Sequence, residues 1–197
     1  MMRGTAYLIA MLIVLATAPT PRAAAADDAT TKLETCFACH GEGGVSQNEN
    51  VPSIAAEPSY FTQWQLVFYR NGSLKSELMT PVAAELSNDD LRSIGAAVEA
   101  LPPPKPPATP DERPELTKLG AQLSVVLHCN NCHAANFAGQ QAAARLAGQR
   151  EEVLLKALHD YKAGTRTGTG VAAMPEIAYA LDEDQMQALA HYLARLP

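Results

Sequence analysis

A chain of 197 residues with a formal charge of −6, 47% hydrophobic and 18% charged residues, has room for one large domain or two small ones. Its 15 Lys and Arg residues are outnumbered by 21 Asp and Glu residues and form no basic cluster, which excludes a nucleic-acid binder on composition. An acidic protein of this kind suits a partner with a basic face, or carries its charge only for solubility.

In chain order, the first element reads as a secretory leader at residues 1–26. Arg3 supplies the positive start, residues 6–18 form an apolar run, and Ala24, Ala25 and Ala26 form a small-residue cleavage site. The run of 13 residues is short for a membrane span, and no later segment is apolar enough to cross a bilayer. A leader predicts an exported protein with no transmembrane segment once mature. Losing Arg3 and Arg22 with it takes the formal charge from −6 to about −8.

A helix is predicted over 27–38, ending in Cys36-Phe37-Ala38-Cys39-His40. Middle and last helices follow. The middle one runs from Ser59 to Asn71 and stops at Gly72; the last has Ser87 as N-cap, Asp90 three residues on, and an apolar stripe of Leu91, Ile94, Gly95 and Val98. Between them a loop carries Met79-Thr80-Pro81.

The segment from Pro102 to Pro110 is too rich in proline for a helix or a central strand, so it reads as a stiff extended connector. It divides the chain into a first domain at 27–103, a linker at 104–113 and a second domain at 114–197.

The second domain repeats the first. A helix at 114–131 leads into Cys129-Asn130-Asn131-Cys132-His133, at an offset of 93 from the first motif. A helix at 150–163 stops at Gly164, and a loop carries Met174-Pro175, at an offset of 95 from Met79. The last helix has Asp182 as N-cap, Gln185 three residues on, and a stripe of Met186, Leu189, Ala190 and Leu193. No alternating strand is found, so the predicted fold class is all-α.

All four cysteines lie in the two Cys-x-x-Cys-His motifs, the attachment pattern of c-type haem. Cys36 and Cys39, and Cys129 and Cys132, would form the thioethers; His40 and His133 would bind iron. A thioredoxin-like dithiol wants a βαβ context that is absent, and a zinc site of four cysteines leaves both histidines unexplained. With every cysteine committed, no disulfide is predicted. Each half is small for a purely protein core, and a covalent haem would supply a large apolar body to fold around.

The second axial ligand decides between electron carrier and reactive centre. Met79 and Met174 stand at matched positions downstream of the motifs and are the candidate distal ligands, whereas Met186 falls on a core stripe. His128, His159 and His191 read as surface or partly packed residues. Trp64, Phe68, Tyr69 and Tyr161 lie on the middle helices, where haem contact and ordinary packing are both open. His/Met ligation fills both positions on iron, raises the potential and suits outer-sphere electron transfer.

These features together resemble the cytochrome c4 family: two class I cytochrome c domains in tandem behind a leader. The resemblance is carried by both haem motifs, Met79 and Met174, the Pro-Ser-Ile-Ala stretch from Pro52 and the Arg-Leu-Ala-Gly-Gln stretch from Arg145. It implies a periplasmic protein with two covalently bound haem c groups and packed domains, carrying electrons towards a terminal oxidase, and it is compatible with peripheral membrane association. It also implies a carbonyl before the middle helix that orients each proximal histidine. Pro52 occupies that place in the first half and Ala144 in the second. Gly41 follows the first motif where Ala134 follows the second, and Gly164-Thr165-Arg166 replaces Gly72-Ser73-Leu74, so two distinguishable potentials are expected. The alternative is the dihaem subunit of an exported dehydrogenase such as a flavocytochrome c. A haem peroxidase or sensor would need an open iron.

Overall fold

Ser87 and Asp182 begin the last helix of each half as their capping chemistry requires. Each side chain accepts the N–H of the residue three positions on, and Asp90 and Gln185 reach back to the cap N–H, closing a full capping box in both halves. These helices are α4 (Asn88–Glu99) and α9 (Glu183–Ala194). The structure, a computed structural model, describes residues 21–166 and 173–197; the apolar run at 6–18 of the expected leader lies outside the described residues. Among the described residues all regular structure is helical, apart from one isolated bridge between Gln140 and Ala143. No described helix is long and apolar enough to cross a membrane.

The first half is built from α1 (Pro21–His40), α2 (Ser59–Arg70), the short α3 (Met79–Ala84) and α4. The second follows the same order with α5 (Pro114–Val126), α6 (Cys129–His133), α7 (Glu151–Lys162), α8 (Ala173–Ala180) and α9. Helix α1 starts six residues before its predicted onset. Four consecutive alanines, the best helix formers, carry it through the expected cleavage point.

Two expectations are corrected. The single helix predicted over 114–131 is two helices, because Val125 and Val126 end the first turn run and His128 takes a left-handed conformation at φ 55°. Met79 and Met174 do not sit in loops but in the first turn of α3 and α8. The prolines read as loop signals occupy first-turn positions, where a missing N–H costs nothing.

In each half the first and last helices pack together. In the first, Leu33 of α1 meets Ile94 and Val98 of α4, with Phe37, Ile54 and Leu66 around them; Lys32 and Asp90 form an ion pair at the edge. In the second, α5 crosses α9 so closely that a Cβ on Gly120 would lie 2.1 Å from the Ala188 carbonyl oxygen. The predicted stripe residues of α4 and α9 are all buried, Met186 among them. The middle helices bury far less: only Phe68 of α2 and Leu154 of α7 are fully buried. These small cores leave apolar side chains exposed, Trp64 of α2 and Val82 of the methionine-bearing α3 among them.

The linker is not a free spacer. Pro104 is buried, with its carbonyl beside Gly148, and Asp111 accepts hydrogen bonds from Thr117 Oγ1 at 2.6 Å and from His191 Nε2 at 2.9 Å. Arg195 adds a bond to the Thr109 carbonyl at 2.7 Å. The segment therefore lies against the second half.

Candidate haem-binding sites

In the first half the motif occupies the last turn of α1; in the second it occupies α6, set off by the turn at His128. Helical spacing places the second cysteine of each pair one turn from the first with one member exposed: Cys39 and Cys132 face solvent, while Cys36 and Cys129 are half-buried. Burial pushes the Cys36 and Cys129 thiols up from their ordinary range. A thioredoxin-like dithiol needs the opposite, a depressed thiol at the attacking position. Among the described residues no cluster of three or more His, Cys, Asp or Glu side chains is arranged to hold a metal ion, so the two cysteine pairs do not converge on a zinc-type site.

The two histidines are held identically. His40 Nδ1 lies 2.8 Å from the Pro52 carbonyl oxygen, and His133 Nδ1 lies 2.8 Å from the Ala144 carbonyl oxygen. A carbonyl can only accept, so each Nδ1 carries a proton, and in the neutral ring that tautomer leaves the lone pair on Nε2. Burial also pulls His133 down from its usual range, which favours the neutral ring. The substitution of Ala144 for proline costs nothing here, because the bond uses a backbone oxygen that any residue supplies.

The other departure does carry strain. Gly41 and Ala134, the residues after each motif, adopt the same backbone: φ 81°, ψ 163° and φ 67°, ψ 160°. This region is essentially reserved for glycine and costs an L-residue about 1–3 kcal/mol. Ala134→Gly is therefore expected to raise stability by about 1 kcal/mol, measured as a higher unfolding midpoint of the haem-loaded protein. An unchanged or lower midpoint would contradict the strain.

Met79 and Met174, both half-buried, open α3 and α8; Ser76 Oγ accepts the Met79 N–H at 3.1 Å. The structure thus places the predicted ligands at equivalent points of the two halves. Arg166 fits a carboxylate ligand: its guanidinium lies over the Tyr161 ring at 5.2 Å and donates to Gln65 Oε1 at 2.8 Å, while its buried Nε has no hydrogen-bond partner. A haem propionate would supply the missing acceptor. Exposed cysteine sulfurs, oriented imidazoles, apolar side chains left bare and an orphaned guanidinium N–H together suit a covalently attached haem.

The resemblance implied packed domains, but sequence reasoning did not identify the residues of the joint between the halves. Gln149 Oε1 accepts the Ser53 N–H at 2.9 Å and its Nε2 donates to the Ser53 carbonyl at 2.8 Å. Glu57 Oε2 accepts the Arg145 N–H at 2.9 Å. Phe61 N–H donates to the Gln141 carbonyl, and Arg150 Nη1 to the Ser46 carbonyl. The Pro-Ser-Ile-Ala and Arg-Leu-Ala-Gly-Gln stretches, noted only as resemblance, are the facing surfaces of this joint. A matched pattern in both repeats was the available signal.

His191 was also misread. It is 3% exposed, with Nε2 on Asp111 and Nδ1 2.9 Å from Glu151, and Arg113 beside it. Helix α9 is enclosed on most sides, so a residue off its apolar stripe is buried too. His159 is exposed and pairs with Glu183 at 2.8 Å, as a surface histidine can. His128 is exposed at the turn before α6.

Residues 117–197 match the family model described as cytochrome c. The chain is 30% identical to cytochrome c4 of Azotobacter vinelandii, covering 96% of this chain and 98% of that protein. It is 29% identical to a thiosulfate dehydrogenase electron acceptor of Stutzerimonas stutzeri, covering 82% and 78%. The fold superposes on the crystal structure of reduced cytochrome c4 from Pseudomonas stutzeri with a TM-score of 0.78 at 28% identity, covering 87% of this chain and 98% of that one.

Proposed function

The chain belongs to the cytochrome c4 family, a c-type electron carrier with covalently bound haem, and on that premise we propose that it is a periplasmic dihaem carrier with His/Met ligation at both irons. The supporting observation is the duplication of one arrangement: a Cys-x-x-Cys-His motif, a histidine held by a backbone carbonyl at 2.8 Å, and a methionine opening a short helix, in each half.

When bound, each haem supplies a one-electron ferric/ferrous couple. Cys36 and Cys39 would hold the first by thioethers, and Cys129 and Cys132 the second. His40 and His133 would offer Nε2 to the iron, with ring orientation fixed by the Pro52 and Ala144 carbonyls. Met79 and Met174 would supply the second ligand to each iron, which would exclude dioxygen and peroxide and favour the ferrous state. Arg166, in the second half, would neutralise a haem propionate, while its Gln65 bond ties it to α2 of the first.

The electron donor is an exported dehydrogenase and the acceptor a terminal oxidase. The dehydrogenase side is supported by the relative named as an acceptor for thiosulfate dehydrogenase. The test is an optical spectrum of the haem-loaded protein, oxidised and reduced, with and without carbon monoxide. Two low-spin c-type haems per chain, both silent to carbon monoxide, are expected. A carbon-monoxide shift in either haem would refute the ligation and return the peroxidase or sensor reading.

A further inference from the structure

Each carbonyl that orients a proximal histidine belongs to a peptide group whose N–H points across the joint. The Pro52–Ser53 peptide accepts His40 Nδ1–H on its oxygen and gives its N–H to Gln149 Oε1 of the second half. The Ala144–Arg145 peptide accepts His133 Nδ1–H on its oxygen and gives its N–H to Glu57 Oε2 of the first half. Glu57 and Gln149 are equivalent positions of the repeat, 92 residues apart, as are Ser53 and Arg145. Both side chains are buried, at 5% and 7% exposure. Each proximal histidine is therefore one peptide group away from a side chain of the other half. The two relays have the same geometry and differ in one functional group.

We propose that Glu57 and Gln149 are reciprocal positioning residues, each setting through a single peptide group the electron donation of the other half's proximal histidine, so that Glu57, once ionised, lowers the potential of the second haem while the amide on the other relay leaves the first in place. The inference rests on His40 and His133 as iron ligands.

The physical chain is short. An acceptor on a peptide N–H polarises the whole group, so its carbonyl becomes a better acceptor. A carboxylate does this more strongly than an amide. The bond from His133 Nδ1–H then tightens, the ring gains imidazolate character, and Nε2 becomes a stronger donor. A stronger donor stabilises ferric over ferrous iron and lowers the potential. Gln149 also spends its own N–H on the Ser53 carbonyl, which keeps the first relay a neutral amide pair.

The charge on Glu57 sets the size of the effect. Burial raises its carboxyl to about 8, against the Arg145 N–H and the Arg145 and Arg166 guanidinium groups, which face it from the second half and pull it down. Tyr69 of α2 shares Arg166 as a neighbour. Below that pH Glu57 is protonated and its oxygen accepts about as an amide does; above it the carboxylate forms. Ionisation adds negative charge and a stronger acceptor, and both favour ferric iron. The second midpoint must therefore fall as pH rises through the Glu57 titration.

The test uses the full haem-loaded chain, as wild type, E57Q and Q149E. Redox titrations are run on both sides of pH 8, with each midpoint assigned to its half by the hyperfine-shifted NMR signals of His40 and His133. E57Q keeps the shape and an acceptor oxygen, so the joint is retained. The expected result is a second-haem midpoint that falls with pH in wild type relative to E57Q, a first-haem midpoint that E57Q leaves in place, and a first-haem midpoint lowered in Q149E. Propionate titrations are common to wild type and E57Q and cancel in the difference. A purely structural role would lower the unfolding midpoint or move both potentials together. Superimposable second-haem midpoints in wild type and E57Q at every pH, or equal shifts in both haems, would overturn the inference. Failure of the ligation reading shows separately, as a carbon-monoxide response in wild type.

Discussion

With the proposed ligation, Met174→Ala is expected to open the second haem iron to carbon monoxide and to lower its potential by roughly 0.1 V or more, a fraction of the ~0.8 V that axial ligands span. The first haem stays closed and keeps its midpoint. Met79→Ala gives the converse. The size of the effect follows from what a thioether does: it holds ferrous iron well, and without it water or nothing occupies that position. The selectivity follows from the placement of the methionines on separate short helices, α3 and α8. Spectroelectrochemistry with and without carbon monoxide checks both points. If either variant remains silent to carbon monoxide, that methionine is not the ligand.

Gly120→Ala should cost the haem-loaded protein about 3 kcal/mol, the upper part of the range for overpacking a tight contact. Its Cβ would lie 2.1 Å from the Ala188 carbonyl oxygen and 2.6 Å from Tyr192 Cβ. Both neighbours belong to α9, one a backbone atom and the other fixed to the backbone, so neither can turn aside as a flexible side-chain tip could. Helix α5 must lift off α9, and Leu123 and Leu127 lose contact with the Leu181, Met186 and Leu189 cluster. The usual gain in helix propensity from Gly to Ala, about 1 kcal/mol, is too small to offset this. Equilibrium unfolding in urea measures it. A loss below 1 kcal/mol would mean the helices cross less closely than described.

Much of this arrangement is legible in the sequence because it is written twice. Ser87 and Asp182 mark helix starts by their own hydrogen-bonding chemistry, and Leu91, Ile94 and Val98 mark a buried face by spacing alone. The middle helices α2 and α7 were placed to within one residue at their starts. What escaped was non-local or context-dependent. Proline at the start of α3 and α8 is compatible with loop and helix alike, and the sequence offers no periodicity in so short a segment. The left-handed turn at His128 breaks a helix that propensity would continue. Glu57 and Arg145 are polar residues 88 positions apart, and nothing local announces that one caps the other's backbone. His191 reads as a surface residue until Asp111 and Glu151 are seen on either side of it.

The joint between the halves is isologous in form: Glu57 meets Arg145, and Gln149 meets the equivalent Ser53. Two separate copies of a single-haem chain could make the same contact as a homodimer. Symmetry would then force position 57 and its counterpart to be the same residue, and the two irons to share one potential. Electron exchange between them would have no preferred direction. Joining the copies in one chain lifts that constraint, because each copy of the position can change alone. On the proposed relays, the segment at 104–113 would thereby make a direction of flow available, from the iron relayed by an ionised Glu57 to the one relayed by Gln149, that a symmetric pair cannot have.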